Sequence, residues 1–185
     1  MTQRRLLFYL KNSNYEDIIT FLSMYNNIII TEVQDACLVA YVQTDFSFSD
    51  FSKLREFLVE ELLIDFVGLY LPLSLDIQIR VISKYLPRFN LGVYNIADFI
   101  SEICLEKHNE MKLTLKSYYY NYVGVETVET VLGFIENSFN ASNSAKKMYM
   151  HRNTLNYRIE NFIRKTEIDI RDFMQALAIY LLFRR

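Results

Sequence analysis

His151-Arg152-Asn153-Thr154-Leu155-Asn156-Tyr157-Arg158-Ile159 is the stretch on which the reading of this chain turns. Wound at 3.6 residues per turn, it forms a helix with two unlike faces. Leu155, Ile159 and Phe162 fall at i, i+4 and i+7, the spacing of an apolar stripe that pins a helix to a core. The opposite face presents Asn153, Tyr157, Glu160 and Arg164, flanked by Asn156 and Asn161, with Arg152 at the N-terminal end. Arginine pairs with guanine and asparagine with adenine, each through two hydrogen bonds in the major groove. A pinned helix with an Arg/Asn face is therefore built for reading base edges.

The residues just upstream fit a helix-turn-helix. A short helix is predicted over 142–148, with Ala145 as the small residue where two helices cross closely. Tyr149-Met150-His151 occupies the turn, and Met148 and Met150 plug the core. The second helix is predicted over 152–165 and a last one over 172–183. A helix over 126–136 precedes them, with Val128, Val131, Leu132 and Ile135 inward. Lys146, Lys147 and Arg158 suit backbone phosphates, which position a protein on the duplex without reading sequence. His151 stands where it either donates to a phosphate or caps the second helix. Thr154 shares the first turn of that helix.

The nine residues 151–159 closely resemble the HRNTLxYRL signature of the C-terminal helix-turn-helix in PucR-type and CdaR-type bacterial regulators. Glu129-Thr130-Val131-Leu132 with Ile135-Glu136-Asn137 resembles the preceding helix of that module. Asp169-Ile170-Arg171-Asp172 and Ala176-Leu177-Ala178-Ile179-Tyr180 resemble its closing helix. The resemblance covers about residues 125–185, and a similar layout occurs in Fis-type domains. It implies duplex DNA as partner, with Lys146, Lys147, His151, Arg152, Asn153, Thr154, Asn156, Tyr157 and Arg158 as the DNA-binding residues. Two positions depart from the usual pattern. Tyr149 stands at a common glycine position of the turn, which calls for a gentler turn or a tolerated positive φ. Glu167 replaces the glycine after the second helix, so that helix is expected to end without a left-handed cap.

The first half reads differently. Residues 5–10 and 15–25 are predicted as two short helices. Ile28–Val33 and Cys37–Val42 are β-branched runs that form a hairpin. Ser49 or Asp50 caps a helix to about Leu63, with Phe51, Leu54, Leu58 and Leu62 on one face. Residues 65–71 form a buried strand stopped by Pro72, and Asp76–Leu86 a helix ended by Pro87. A short strand over 91–94 and a helix over 97–107 follow. Helices packed on a mixed sheet make a small α/β domain. It resembles, more weakly, the degenerate GGDEF-like domain that precedes this module in such regulators. No Gly-Gly-Asp/Glu-Glu-Phe sequence is present, so cyclase activity is not implied. The fold class is α+β: a sensor-like or dimerisation domain over 1–108, a connecting helix over 109–124, and a helix-turn-helix domain over 125–185. Tyr118, Tyr119, Tyr120 and Tyr122 on the connecting helix are read as domain–domain packing, with a dimer contact as the alternative.

Charge divides along the same line. The chain of 185 residues has a formal charge of −2. Residues 141–185 hold nine Lys/Arg against four acids, a balance of +5, which leaves −7 for residues 1–140. A basic helical end on an acidic body is the charge pattern of a nucleic-acid reader. With 51% hydrophobic residues and 23% charged, the chain is globular rather than disordered. Four glycines, at 68, 92, 124 and 133, leave no Gly-rich phosphate loop, and there is no GxSxG or HExxH. Two cysteines (Cys37, Cys104) and two histidines (His108, His151) are too scattered for a zinc set. The cysteines are read as core thiols. No cofactor, catalytic residue or membrane span is expected, and the five apolar residues after Arg5 are too few for a signal-peptide core. The expectation is a cytoplasmic, non-enzymatic regulator. It acts as a homodimer on symmetric half-sites, with a small-molecule effector for the first domain. The alternatives are a protein-interaction or oligomerisation module that keeps the helix-turn-helix core without DNA binding, and, ranked last, a small-molecule-binding or enzymatic α/β domain with a helical appendage.

Overall fold

The computed structural model describes residues 3–11, 14–43, 45–75 and 77–184. The chain divides by its contacts into two compact units, residues 1–96 and 97–185.

The first unit carries five strands among the described residues. In chain order they run β1 (Gln3–Tyr9), α1 (Glu16–Leu22), β2 (Ile28–Gln34), β3 (Cys37–Gln43), α2 (Phe48–Leu62), β4 (Val67–Pro72), α3 (Ile79–Ser83) and β5 (Gly92–Asn95). The sheet order is β2-β3-β1-β4-β5, antiparallel except for the parallel pair β4–β5. Residues 5–10, expected as a helix, are thus mostly the central strand. Leu6, Leu7 and Phe8 are all fully buried because both faces of β1 are covered. A strand buried on both faces loses its alternation, and a short apolar run then looks the same as a helical segment.

The hairpin forms as expected. Asp35 and Ala36 both take positive φ (49° and 60°), the type I′ turn that matches strand twist. Leu6 and Phe8 of β1, and Leu10 just beyond it, share one face with Leu38, Ala40 and Val42 of β3. They pack with Ile18 and Leu22 of α1 and with Phe51 and Leu58 of α2. Phe8 anchors this layer, its ring centroid 5.3 Å from Phe51 and 5.0 Å from Phe66. The cap of α2 is Ser47, not Ser49 or Asp50. Asp50 sits at the third helical position and closes a capping box: its amide donates to Ser47 Oγ at 3.2 Å, and Ser47 N–H donates to its carboxylate at 2.8 Å. Leu62, expected on the inner face, is 41% exposed. Pro72 ends β4 from inside the strand rather than stopping it beforehand. The helix expected over Asp76–Leu86 is only Ile79–Ser83, because the chain tightens into a 3₁₀ turn at Leu86–Arg88 around Pro87. Its expected start, Asp76, lies outside the described residues. Cys37 is buried and its thiol is pushed up to about 12, first by desolvation and then by Asp35. Burial also raises the Cys104 thiol. Neither is a reactive thiolate near neutrality.

The second unit is helical: α4 (Ile96–Leu105), α5 (Asn109–Val123), α6 (Val125–Glu136), α7 (Ala141–Lys147), α8 (Arg152–Thr166) and α9 (Phe173–Phe183). The α+β class expected from the sequence is the class observed. Gly124 alone separates α5 from α6, at φ 89°, a region closed to most side chains. The tyrosines of α5 find partners inside this unit. Tyr119 is buried with its ring 6.3 Å from Phe162, and Tyr120 meets Phe183 edge-on at 5.0 Å. Tyr118 stacks on Tyr122, and the Lys165 ammonium lies 5.5 Å over the Tyr122 ring. Among the described residues no helix is long and apolar enough to cross a membrane.

Candidate nucleic-acid interface

The site is made by α7, the turn after it, and α8. Asn140 caps α7, its side-chain oxygen accepting the Asn143 amide at 2.9 Å. Ser144 and Ala145 are buried in the crossing with α8, and Ser144 Oγ donates to Asn140 O at 2.7 Å, so the polar atom is satisfied. The small side chain at 145 lets the two helices approach. Met148 closes the other side. A β-carbon on Gly133 of α6 would lie 2.5 Å from its sulfur, so the end of the Met148 side chain packs directly over that glycine.

Lys147 is the last residue of α7, and Tyr149 then takes φ 52°. Its amide donates to Lys146 O at 3.3 Å, and the Met150 amide donates to Ala145 O at 3.0 Å. This pair of bonds is a Schellman motif with tyrosine in the left-handed position usually held by glycine. A β-carbon there costs about 1–2 kcal/mol. The tolerated positive φ is therefore the route taken at Tyr149. The same device ends α6, where Phe139 N–H donates to Phe134 O at 3.0 Å and the two rings meet edge-on at 5.7 Å. Glu167 also takes the left-handed conformation, at φ 61°. The expectation that α8 ends without such a cap is thus overturned: with so few glycines, other residues adopt the turn.

His151 is the N-cap of α8. Its Nδ1 accepts the Asn153 amide at 3.2 Å, which puts the proton of the neutral ring on Nε2, facing solvent. Leu155, Ile159, Phe162 and Thr166 are the buried face of α8. Thr166 Oγ1 donates to Phe162 O at 2.8 Å. The outward face is open. Arg152, Asn153, Thr154, Asn156 and Tyr157 are all exposed, as are Lys146 and Lys147 in the last turn of α7. Among the described residues none of these seven side chains has a hydrogen-bond or ion-pair partner. The structure thus gathers eight of the nine expected residues, His151 included, on one exposed surface around the N-terminus of α8.

The ninth is placed otherwise. Arg158 is half-buried, pairs with Glu126 of α6 and donates to Thr130 Oγ1 at 3.2 Å. Its guanidinium braces α8 against α6. Glu160 is likewise engaged, by Arg171. Arg164 is exposed and bonds Asn161 Oδ1 at 2.8 Å, holding a cation at the far end of the open face. Helical spacing places Arg164 on this face, though outside the group of expected contact residues. Tyr149 stands out by exposure, at 98%. Only its turn position marks it in the sequence, since exposure of a single turn residue leaves no periodic trace.

Residues 127–184 match the PucR C-terminal helix-turn-helix domain. The turn, the buried stripe and the open face all lie within that span. Over 57 residues, 31% of this chain, the sequence is 44% identical to Uncharacterized protein YxkF of Bacillus subtilis (strain 168), of which the match covers 19%. It is 33% identical over 101 residues to the DNA-binding transcriptional activator AdeR of the same organism, covering 54% of this chain and 24% of AdeR. It is 30% identical over 93 residues to the Proline-responsive transcriptional activator PutR, also of Bacillus subtilis (strain 168), covering 49% of this chain and 22% of PutR. The matches thus span no more than a quarter of the length of these curated relatives.

Proposed function

We propose that this chain is a sequence-specific DNA-binding transcriptional regulator of the PucR/CdaR type, reading the major groove with the N-terminal half of α8. The observation that carries the reading is the exposed, unpartnered surface formed by Lys146 and Lys147 at the end of α7 and by Arg152, Asn153, Asn156 and Tyr157 on α8, a helix whose other face is buried. Arg152, Asn153 and Asn156 address base edges. Lys146, Lys147 and the Nε2–H of His151 address phosphates, with Thr154 and Tyr157 on the flanks. The match over residues 127–184 and the likeness to two transcriptional activators support the same conclusion. Residues 1–108 serve as the sensing or dimerisation part, of degenerate GGDEF-like kind, and 109–124 as the connecting helix. The acidic balance of the first 140 residues disfavours their approach to DNA. A cytoplasmic homodimer would read symmetric half-sites about one helical turn apart.

The test is selection of duplexes from a random library by the full chain, followed by titration of the selected site against salt. Lys146, Lys147, Arg152 and Arg164 are four exposed cations with no acidic partner, so the log–log slope should be about −3.5 to −4. No enrichment over random duplex at low salt would refute the reading. One observation favours the interaction-module alternative. A groove of ≈ 380 Å³ lies beside α6 and α9, lined by Ile135, Phe139, Phe173, Leu177 and Tyr180 among others. Concentration-dependent self-association with no DNA retention would select that reading instead.

A further inference from the structure

Tyr149 carries a large aromatic ring at 98% exposure, at a backbone position where glycine is the cheaper residue. Other residues in the helical unit share the left-handed conformation, so the backbone alone does not single it out. Phe139, however, packs its ring on Phe134, whereas Lys107, Ser138 and Glu167 carry hydrophilic side chains suited to solvent. Among the described residues of this unit, Tyr149 is the aromatic left-handed residue whose ring contributes nothing to packing. Its surroundings are specific. Lys146 and Lys147 precede it, His151 and Arg152 follow it, and all four side chains are exposed. Arg152 is three residues away, so their Cα atoms lie within roughly 11 Å of each other. The major groove is about 12 Å wide. With Arg152 at base edges, Tyr149 is close enough for its side chain to reach the phosphates that border the groove.

We propose that Tyr149 is a DNA contact, its phenol donating a hydrogen bond to a backbone phosphate at the edge of the groove entered by α8. This inference rests on the DNA-binding reading of the helical unit. A phenol is neutral, so the contact adds affinity without releasing a counterion. It acts alike on all sequences, because a phosphate carries no base identity.

The experiment uses the full chain and its selected duplex, with fluorescence anisotropy and thermal unfolding measured on wild type, Tyr149→Gly and Tyr149→Phe. Tyr149→Gly relieves the left-handed backbone, so its unfolding temperature should equal or exceed that of wild type. Its affinity should fall about tenfold on selected and random duplexes alike, the scale of one hydrogen bond to a charged group. The salt slope should stay unchanged. Tyr149→Phe should keep the ring, keep the stability and lose most of the same affinity. Wild-type affinity in both variants overturns the proposal while leaving the DNA-binding reading intact. A Tyr149→Gly protein that loses stability and affinity together makes the residue structural and also overturns it. Wild type that binds no duplex at all removes the reading and the proposal with it.

Discussion

On one side of α8, Leu155 and Phe162 are fully buried and Ile159 is 3% exposed. On the other, Tyr157 is 68% exposed, and Arg152, Asn153 and Asn156 stand in solvent without partners. The inward face packs into the helical core, where the Phe162 ring lies 6.3 Å from that of the buried Tyr119. The outward face has no duty to the fold. Nothing in the helical unit would be left unsatisfied if Asn153 or Asn156 changed. In the proposed function, stability and DNA recognition fall to separate residues of a single helix. Substitutions should separate the two properties cleanly.

The largest effect is expected from Phe162→Ala. The ring is fully buried against Tyr119, and its removal leaves a cavity that two helices cannot collapse to fill. A loss of about 3–5 kcal/mol is expected in urea unfolding monitored by circular dichroism. DNA binding should disappear with the fold rather than independently of it. If Phe162→Ala binds DNA normally while stability drops by less than about 1 kcal/mol, the inward face is not the anchor of α8.

Next comes the open face. Arg152→Ala combined with Asn153→Ala should lower affinity for a selected duplex by about 10–100-fold, given about 1–3 kcal/mol per well-formed bidentate base contact. Unfolding should shift by no more than about 0.5 kcal/mol, because neither side chain touches the core. Binding to random duplex should fall much less, which a competition titration would read directly. Equal losses on both duplexes would turn these residues into phosphate contacts. Lys146→Ala with Lys147→Ala sharpens the contrast from the other direction. Both ammonium groups are exposed and unpaired, so their loss should reduce the salt slope by about 2 and leave sequence preference as it was.

The two faces of α8 are legible in the amino-acid order because they are periodic, and period is what a sequence displays. The hairpin is legible for a similar reason: two β-branched runs separated by a turn have no helical alternative. The central strand β1 is not. Its Leu6-Leu7-Phe8 run is buried on both sides, and what sets its conformation is pairing with β3 and β4, residues 30 to 64 positions away. Helix starts are ambiguous where a nearby residue offers the same chemistry. Ser47, Ser49 and Asp50 are all good caps, and the capping box rather than residue type decides among them. The left-handed stops at Tyr149 and Glu167 come from the opposite situation, since a chain with four glycines has to use other residues there. Within the candidate site, the residue types along α8 are readable, but the partner of Arg158 is not. Glu126 is 32 residues away, and only the packing of α6 on α8 brings them together.

Arg158 is the position where the contrast between the faces is easiest to break, because it lies on their boundary. As a phosphate contact it would belong to the open side. The structure pairs it with Glu126, whose side chain is 76% exposed, and with Thr130, which also donates to Glu126 O at 2.7 Å. Arg158→Ala therefore leaves Thr130 Oγ1 with a partner and removes one solvent-exposed ion pair. The expected loss of stability is small, about 0.2–1 kcal/mol. Glu126→Gln should reproduce most of it, and the double variant should show less than the sum of the two. Affinity for DNA at fixed salt should change by less than about threefold, and the slope against salt should not change at all. A slope reduced by about 1 in Arg158→Ala would mean that the guanidinium leaves Glu126 for a phosphate when DNA arrives. In that event Glu126→Gln should tighten binding, because it frees the arginine in advance. The sign of the Glu126→Gln effect on affinity decides which face Arg158 belongs to.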